Sequence, residues 1–361
     1  MSVAAGALSI YFPERLRVTS GRPGFLADRL LDLCADRGIV TSVMLRGVTS
    51  FGPVGLLRTD ESLTLSEDPP AVVHVVDEAR VIGSLADDAA DLLESGLITV
   101  EPTSMVCGRA PACLADTDSS RTVKLGVYVG RLERVGAQAA DRVVCDVLWR
   151  NGFDFASAFL GVDGTARGLR YRAKFFSRNV NVPILVVGVG TASRAAAAIA
   201  ELTAVLPTLV VTIGDAEVWT CDPGSPGQAI TYPRGGTDDR PPWLRLAVHT
   251  TEGDTHDGVP VHREIVRRLR QSRTVQGATA VRGVWGFQGD DKPHGDRIFQ
   301  MVRRVPVVTT IIDTPGAIAR SFAVIADIVG PHTVVTCESI PATLSVGPRG
   351  VEGCLHPAGD G

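Results

Sequence analysis

The chain has 361 residues, 45% of them apolar and 21% charged, an ordinary globular balance. Its 36 Lys and Arg against 40 Asp and Glu leave a formal net charge of -4, and the basic residues are scattered, so a broad nucleic-acid footprint is excluded. Seven cysteines form no dense framework, which favours a reducing, cytoplasmic setting over secretion.

In chain order, Leu8 to Phe12 reads as a strand, with no basic leader before it. Leu26, Leu30, Leu33 and Cys34 share a helical face that ends before Gly38. The segment TSVMLRGVTSFG (Thr41 to Gly52) follows, then Pro70 with the apolar run AVVHVVD. Val81, Ile82, Leu85, Ala89 and Leu92 make a second helix before Gly96, and Leu97 to Glu101 a last strand. The same order returns twice. VKLGVYVG from Val123 and LRLAVHT from Leu244 match the opening strand. FASAFLGVDGTARG (Phe155 to Gly168) and GATAVRGVWGFQG (Gly277 to Gly289) place Gly161 and Gly283 where the first copy has Gly47. Pro183 with ILVVGVG and Pro306 with VVTTIID match Pro70. Val182 to Gly214 is apolar, but Arg194, Glu201 and Pro207 interrupt it, so strand, helix and strand explain it better than a membrane span.

Each copy therefore reads as β-α-β-β-α-β, the ferredoxin-like order of an α+β unit. The predicted boundaries are copy 1 at 1–105, a linker at 106–121, a degenerate copy 2 at 122–220, a linker at 221–242, copy 3 at 243–342 and a flexible tail at 343–361. Cys107 and Cys113 match no strong zinc spacing and read as unpaired linker thiols rather than a metal or redox pair. The third strands are apolar on nearly every residue, so the sheet faces that the helices leave open must cover one another. Three copies closing into an intramolecular pseudo-trimer, one chain acting as a monomer, would do so.

On these residues the chain resembles the domain of unknown function 190 family, also called the UPF0166 type. The marks are Leu45-Arg46-Gly47 with Phe51-Gly52, Val281-Arg282-Gly283 with Gly286-Phe287, and LSEDPPAVVHVVD from Leu65 to Asp77. Copy 2 keeps the layout but has Leu160 where the others have an arginine. The family is similar to PII signalling proteins, usually homotrimers that bind adenine nucleotides or other small anions in clefts between subunits. Their loop between strands two and three contacts a partner, often a transporter or channel. The resemblance implies a regulatory protein that takes a small anionic effector (ATP, ADP, AMP or cyclic AMP) and acts on a membrane partner, with a link to ion or fluoride handling. A partner-binding scaffold without a ligand is the alternative, and an enzyme acting on a small anion the third.

The ligand-binding candidates follow from chemistry. Arg46 and Arg282 each precede a glycine, Gly47 or Gly283, that lets a ligand or another backbone approach, and guanidinium suits phosphate. The alternative is an ion pair with a neighbouring copy. Phe51 and Phe287 either stack on a base or pack at an interface. Gly188, Gly190, Thr191 and Ser193 lead into a helix whose N-terminus suits an anion, as do Thr314 and Gly316, and simple capping is the alternative. The cleft built on Leu160 should be the weakest. Arg58, Arg167, Arg170, Lys292, His294 and Arg297 are partner-loop candidates. No metal set is expected, since His256 and His262 read as unpaired surface residues, and no nucleophile constellation or other catalytic residue stands out.

Overall fold

The computed structural model describes residues 3–19, 23–60, 68–108, 118–172, 182–219, 221, 242–295, 305–331 and 333–356. Among these the chain is strand-rich α+β with six helices, two in each copy.

In copy 1 the strands are Val3–Pro13, Thr41–Phe51, Pro70–Glu78 and Gly96–Cys107. The first pairs antiparallel with the third and the fourth, and the second pairs with the third, giving the order 4-1-3-2. Copy 2 repeats this with Thr122–Gly130, Phe155–Leu160, Pro183–Thr191 and Val210–Asp215. Copy 3 does so with Trp243–Thr251, Ala278–Arg282, Pro306–Asp313 and Val334–Ile340. The helices lay one apolar stripe on each sheet. Leu26–Asp36 buries Leu26, Leu30 and Cys34, Ala140–Arg150 buries Val144 and Leu148, and Val261–Ser272 buries Ile265 and Leu269.

The copies join edge to edge in two ways, each repeated around a ring. In the first, the second strand runs past its anchor glycine and its far part pairs with the preceding copy's second strand. Thr49–Phe51 lies on Ala278–Ala280, Asp163–Ala166 on Thr41–Met44, and Trp285–Gln288 on Phe155–Ala158. The anchor glycine is required at the crossing. A Cβ on Gly47 would sit 2.7 Å from Pro70 Cγ and 2.9 Å from the Ala280 carbonyl oxygen of copy 3. On Gly283 it would meet Pro306 Cγ at 2.8 Å and the Ala158 oxygen of copy 2 at 2.9 Å. The backbone that these glycines admit is a neighbouring copy's, and the glycine and proline anchors of the repeat touch one another.

In the second joint, the last strand reaches the next copy. Ser104–Cys107 pairs with Val210–Ile213, and Glu217–Trp219 pairs with Val335–Cys337. The linker expected at 106–121 thus begins as strand at Val106 and Cys107, because Val106 buries in the core of copy 2. The third instance closes the ring. Ala342–Gly347 pairs with Gly96–Val100 of copy 1 and forms a hairpin with Gly350–Cys354. The expected flexible tail at 343–361 is corrected over 343–354: its alternating Leu344 and Val346 pack on the copy 1 core, which supplies the pairing edge. Thr49 and Trp285, where the chain leaves towards the loop between second and third strands, are likewise seam strand.

Candidate functional site

The register between first and third strands aligns the copies residue by residue. Tyr11, Tyr128 and His249 face Val72, Leu185 and Val308, each two residues past the anchor proline. Each lines a cleft between its own copy and the preceding one. The cleft of copies 1 and 3, beside Tyr11, has a volume of about 100 Å³. That of copies 2 and 1, beside Tyr128, has about 390 Å³, and that of copies 3 and 2, beside His249, about 690 Å³. The same three side chains also line a chamber of about 130 Å³ on the axis, so they partition each cleft from it.

The chamber is charged. Arg245 donates to Glu101 of copy 1 at 2.7 Å and to Glu338 at 3.1 Å. Lys124 of copy 2 bonds to Glu338 and stands 3.9 Å from Glu101. Arg245 Nε is buried without a partner among the described residues. Burial opposes the charge on Glu101, but Arg245 and Lys124 outweigh it and hold the carboxyl down to about 2. Burial pulls His74 and His249 down to about 3, with cationic neighbours adding to it, so both rings are neutral. His74 Nδ1 lies 2.8 Å from Ser9 Oγ, and His249 Nε2 3.3 Å from Thr336 Oγ1. Sequence reasoning missed this network. Its signal was Lys124 and Arg245, which interrupt apolar strands at the same register position as Ala7.

The expected site residues fall into separate places. Arg46 is bonded through both Nε and Nη2 to Glu14, and Arg282 donates to Glu252 at 2.8 Å. Both partners are in the arginine's own copy; Arg282 also stands 3.7 Å from Asp60 of copy 1. Phe51 and Phe287 are 5% and 3% exposed and pack into the cores of copies 3 and 2, as interface aromatics. The glycine turn of copy 2 is filled by the chain itself. Ala192 and Ser193 amides donate to the Arg121 and Ser119 carbonyls, and Thr191 Oγ1 accepts from Arg194. Gly188 and Gly190 accommodate Phe153, whose ring would meet a Cβ on either. Thr314 donates its amide to Asp313, and Gly316 follows Pro315 at the start of its helix. Arg170 is not a free loop cation: it pairs with Asp163 and with Asp28 and Asp32 of copy 1. His262 is buried and His256 contacts Arg268 and the Ile328 carbonyl, so neither is an unpaired surface histidine. Arg297 and Cys113 lie outside the described residues; Lys292 is exposed, and His294 lines the cleft of copies 3 and 2.

Arg58 lines the narrow cleft of copies 1 and 3, whereas Arg167 lines the cleft of copies 2 and 1. Arg167 is exposed and pairs with no carboxylate among the described residues; its Nη2 reaches only the Thr208 carbonyl, at 3.4 Å. Tyr171 lines the same cleft, and Glu133 there is engaged by the Gly130 amide and the Thr208 hydroxyl.

The model of the domain of unknown function 190 family (DUF190, Uncharacterized ACR) matches three times, at residues 5–105, 122–218 and 243–342. The chain belongs to this family. A UPF0166 protein of Aquifex aeolicus (strain VF5) is 28% identical over 96 residues, spanning 26% of this chain and 88% of that protein. Among solved structures, the aspartate kinase of Synechocystis is 13% identical with a TM-score of 0.24. The match covers 94% of this chain and 52% of the kinase, a likeness too slight to bear on fold or activity. The third matched segment ends at residue 342, the first residue of the strand that closes the ring. Among the described residues, no helix of this DUF190 chain is long and apolar enough to cross a membrane. No three His, Cys, Asp or Glu side chains among them are grouped to hold a metal ion.

Proposed function

We propose that the chain is a cytoplasmic, PII-like regulatory protein whose three ferredoxin-like units form an intramolecular pseudo-trimer. It takes one small anionic effector, an adenine nucleotide by preference, in the cleft of copies 2 and 1. It passes that occupancy to a partner, with an ion or fluoride transporter as the favoured class. The observation that carries this reading is Arg167, a cleft arginine without a carboxylate partner among the described residues, beside Tyr171 in a cavity of about 390 Å³. Guanidinium suits phosphate and a tyrosine face suits a base. Arg46 and Arg282, by contrast, are already neutralised by Glu14 and Glu252.

Calorimetry with ATP, ADP, AMP and cyclic AMP tests it. The expected result is one site per chain, weakened about tenfold or more in Arg167→Ala, since a charge-assisted contact contributes about 1.5–3 kcal/mol. No heat and no thermal shift with any of the four would overturn it.

A ligand-independent scaffold is the second reading. It is favoured by Val54 and Leu56, which are 62% and 54% exposed on the copy 1 loop. Loss of partner capture in Val54→Ser/Leu56→Ser, with nucleotide absent throughout, would promote it.

A further inference from the structure

The cleft of copies 3 and 2 is the most open of the three equivalents, at about 690 Å³, yet its chemistry differs from that of the Arg167 cleft. Its walls are mixed: the apolar Val261, Ile328, Val329 and Val334 stand with polar Thr250, Thr255 and Thr333. At its lip stand the carboxylates of Asp254 and Asp291, both exposed. No lysine or arginine is among its described lining residues. At its floor His249, 6% exposed, stacks on Phe155 with ring centroids 3.7 Å apart, and its Nδ1 has no partner among the described residues. Asp254 accepts from the Thr251 amide at 2.6 Å and from the Thr251 hydroxyl at 2.9 Å, so one carboxylate is held in place at the lip.

A phosphate entering this cleft would meet two carboxylates. An alkyl chain would meet the apolar part of the wall, and an ammonium group would find counter-charges at the mouth. The cavity falls within the range of about 300–1,000 Å³ common for small-molecule sites. We propose that the cleft of copies 3 and 2 binds a small organic amine: its alkyl part lies along Val261, Ile328 and Val334, and its ammonium group pairs with Asp291 and Asp254. The two open clefts of one ring then select ligands of opposite charge. This does not depend on the nucleotide reading, because ligand, cleft and variants all differ.

Cadaverine is a suitable probe, with 1,5-pentanediol as its uncharged counterpart and ATP as the anionic one. Gly330 lines the cleft, is exposed, and has open space around it for a side chain, so Gly330→Trp should fill the cavity without distorting the backbone. Cadaverine should raise the thermal midpoint of the full chain and pentanediol should not. Asp291→Asn should weaken cadaverine about tenfold, the loss expected for one charge-assisted contact, and Gly330→Trp should abolish its binding. Should Gly330→Trp fold poorly by circular dichroism, Thr255→Arg places a cation at the same lip and should do the same. The proposal is overturned if cadaverine gives no shift, if pentanediol matches it, or if cadaverine binding survives the blocking variant. It is equally overturned if ATP binding is what the blocking variant removes.

Discussion

Arg245 in the first strand of copy 3 donates through Nη1 to both carboxylate oxygens of Glu101 in the fourth strand of copy 1, at 2.7 and 2.9 Å. The pair is nearly out of solvent, and removing one partner from such a pair costs about 3–5 kcal/mol because the other charge is left buried alone. Arg245→Ala should therefore lower the urea midpoint strongly. Arg245→Met with Glu101→Gln, which keeps the Lys124–Glu338 pair, should recover most of the loss. A single variant indistinguishable from the parent would show that the axis carries little of the stability.

Acidification should loosen the same region before its carboxylates titrate. Unfolded, His74 and His249 take protons near 6.5; folded, burial holds both to about 3. The unfolded chain binds more protons between those values, so stability falls as pH drops below 6.5, by up to about 1.4 kcal/mol per pH unit for each histidine. Glu101 adds its share only between 4.5 and about 2. Thermal midpoints from pH 7.5 to 5 should decline, and His74→Gln should flatten the slope. A flat profile in the parent protein would refute this account.

The seam aromatics should behave as core residues of the neighbouring copy. Phe51→Ala and Phe287→Ala should each cost about 3–5 kcal/mol, as large-to-small changes in a packed interior do. Hydrogen exchange should then rise in copy 3 for the first and in copy 2 for the second. A rise confined to the mutated copy would contradict the packing described above.

Removing the closing hairpin should change assembly. A chain ending at Ile340 leaves the Gly96–Val100 edge of copy 1 unpaired, and open edges recruit other strands. Light scattering should give one chain per particle for the full protein and larger species for the shortened one. Monomers in both cases would mean that the hairpin does not guard that edge.

Much of this architecture was legible because the repeat anchors are a contact. Gly47, Gly161 and Gly283 recur with Pro70, Pro183 and Pro306 since each glycine lies against its proline, in side-chain or backbone contact, where another copy crosses. Helix stripes such as Ile265 and Leu269 were equally plain, since each is local. What escaped reading depends on distant partners. Arg46 and Arg282 look like phosphate binders until Glu14 and Glu252 fold beside them. The amides at Ala192 and Ser193 look free until the chain at Ser119 and Arg121 covers them. The final hairpin, built of small residues, becomes strand only against an edge that begins at Gly96.

The third residue of each first helix meets a different counterpart across its seam. Asp28 meets Arg170 and Arg172, Arg263 lies 3.6 Å from Asp60, and Arg142 stacks 4.4 Å from the Trp285 ring centroid. In a true rotational trimer every substitution is made three times over, once at each seam. Covalent tandem duplication lifts that restriction: a single codon change alters one joint, or one binding niche, and leaves the other two as they were.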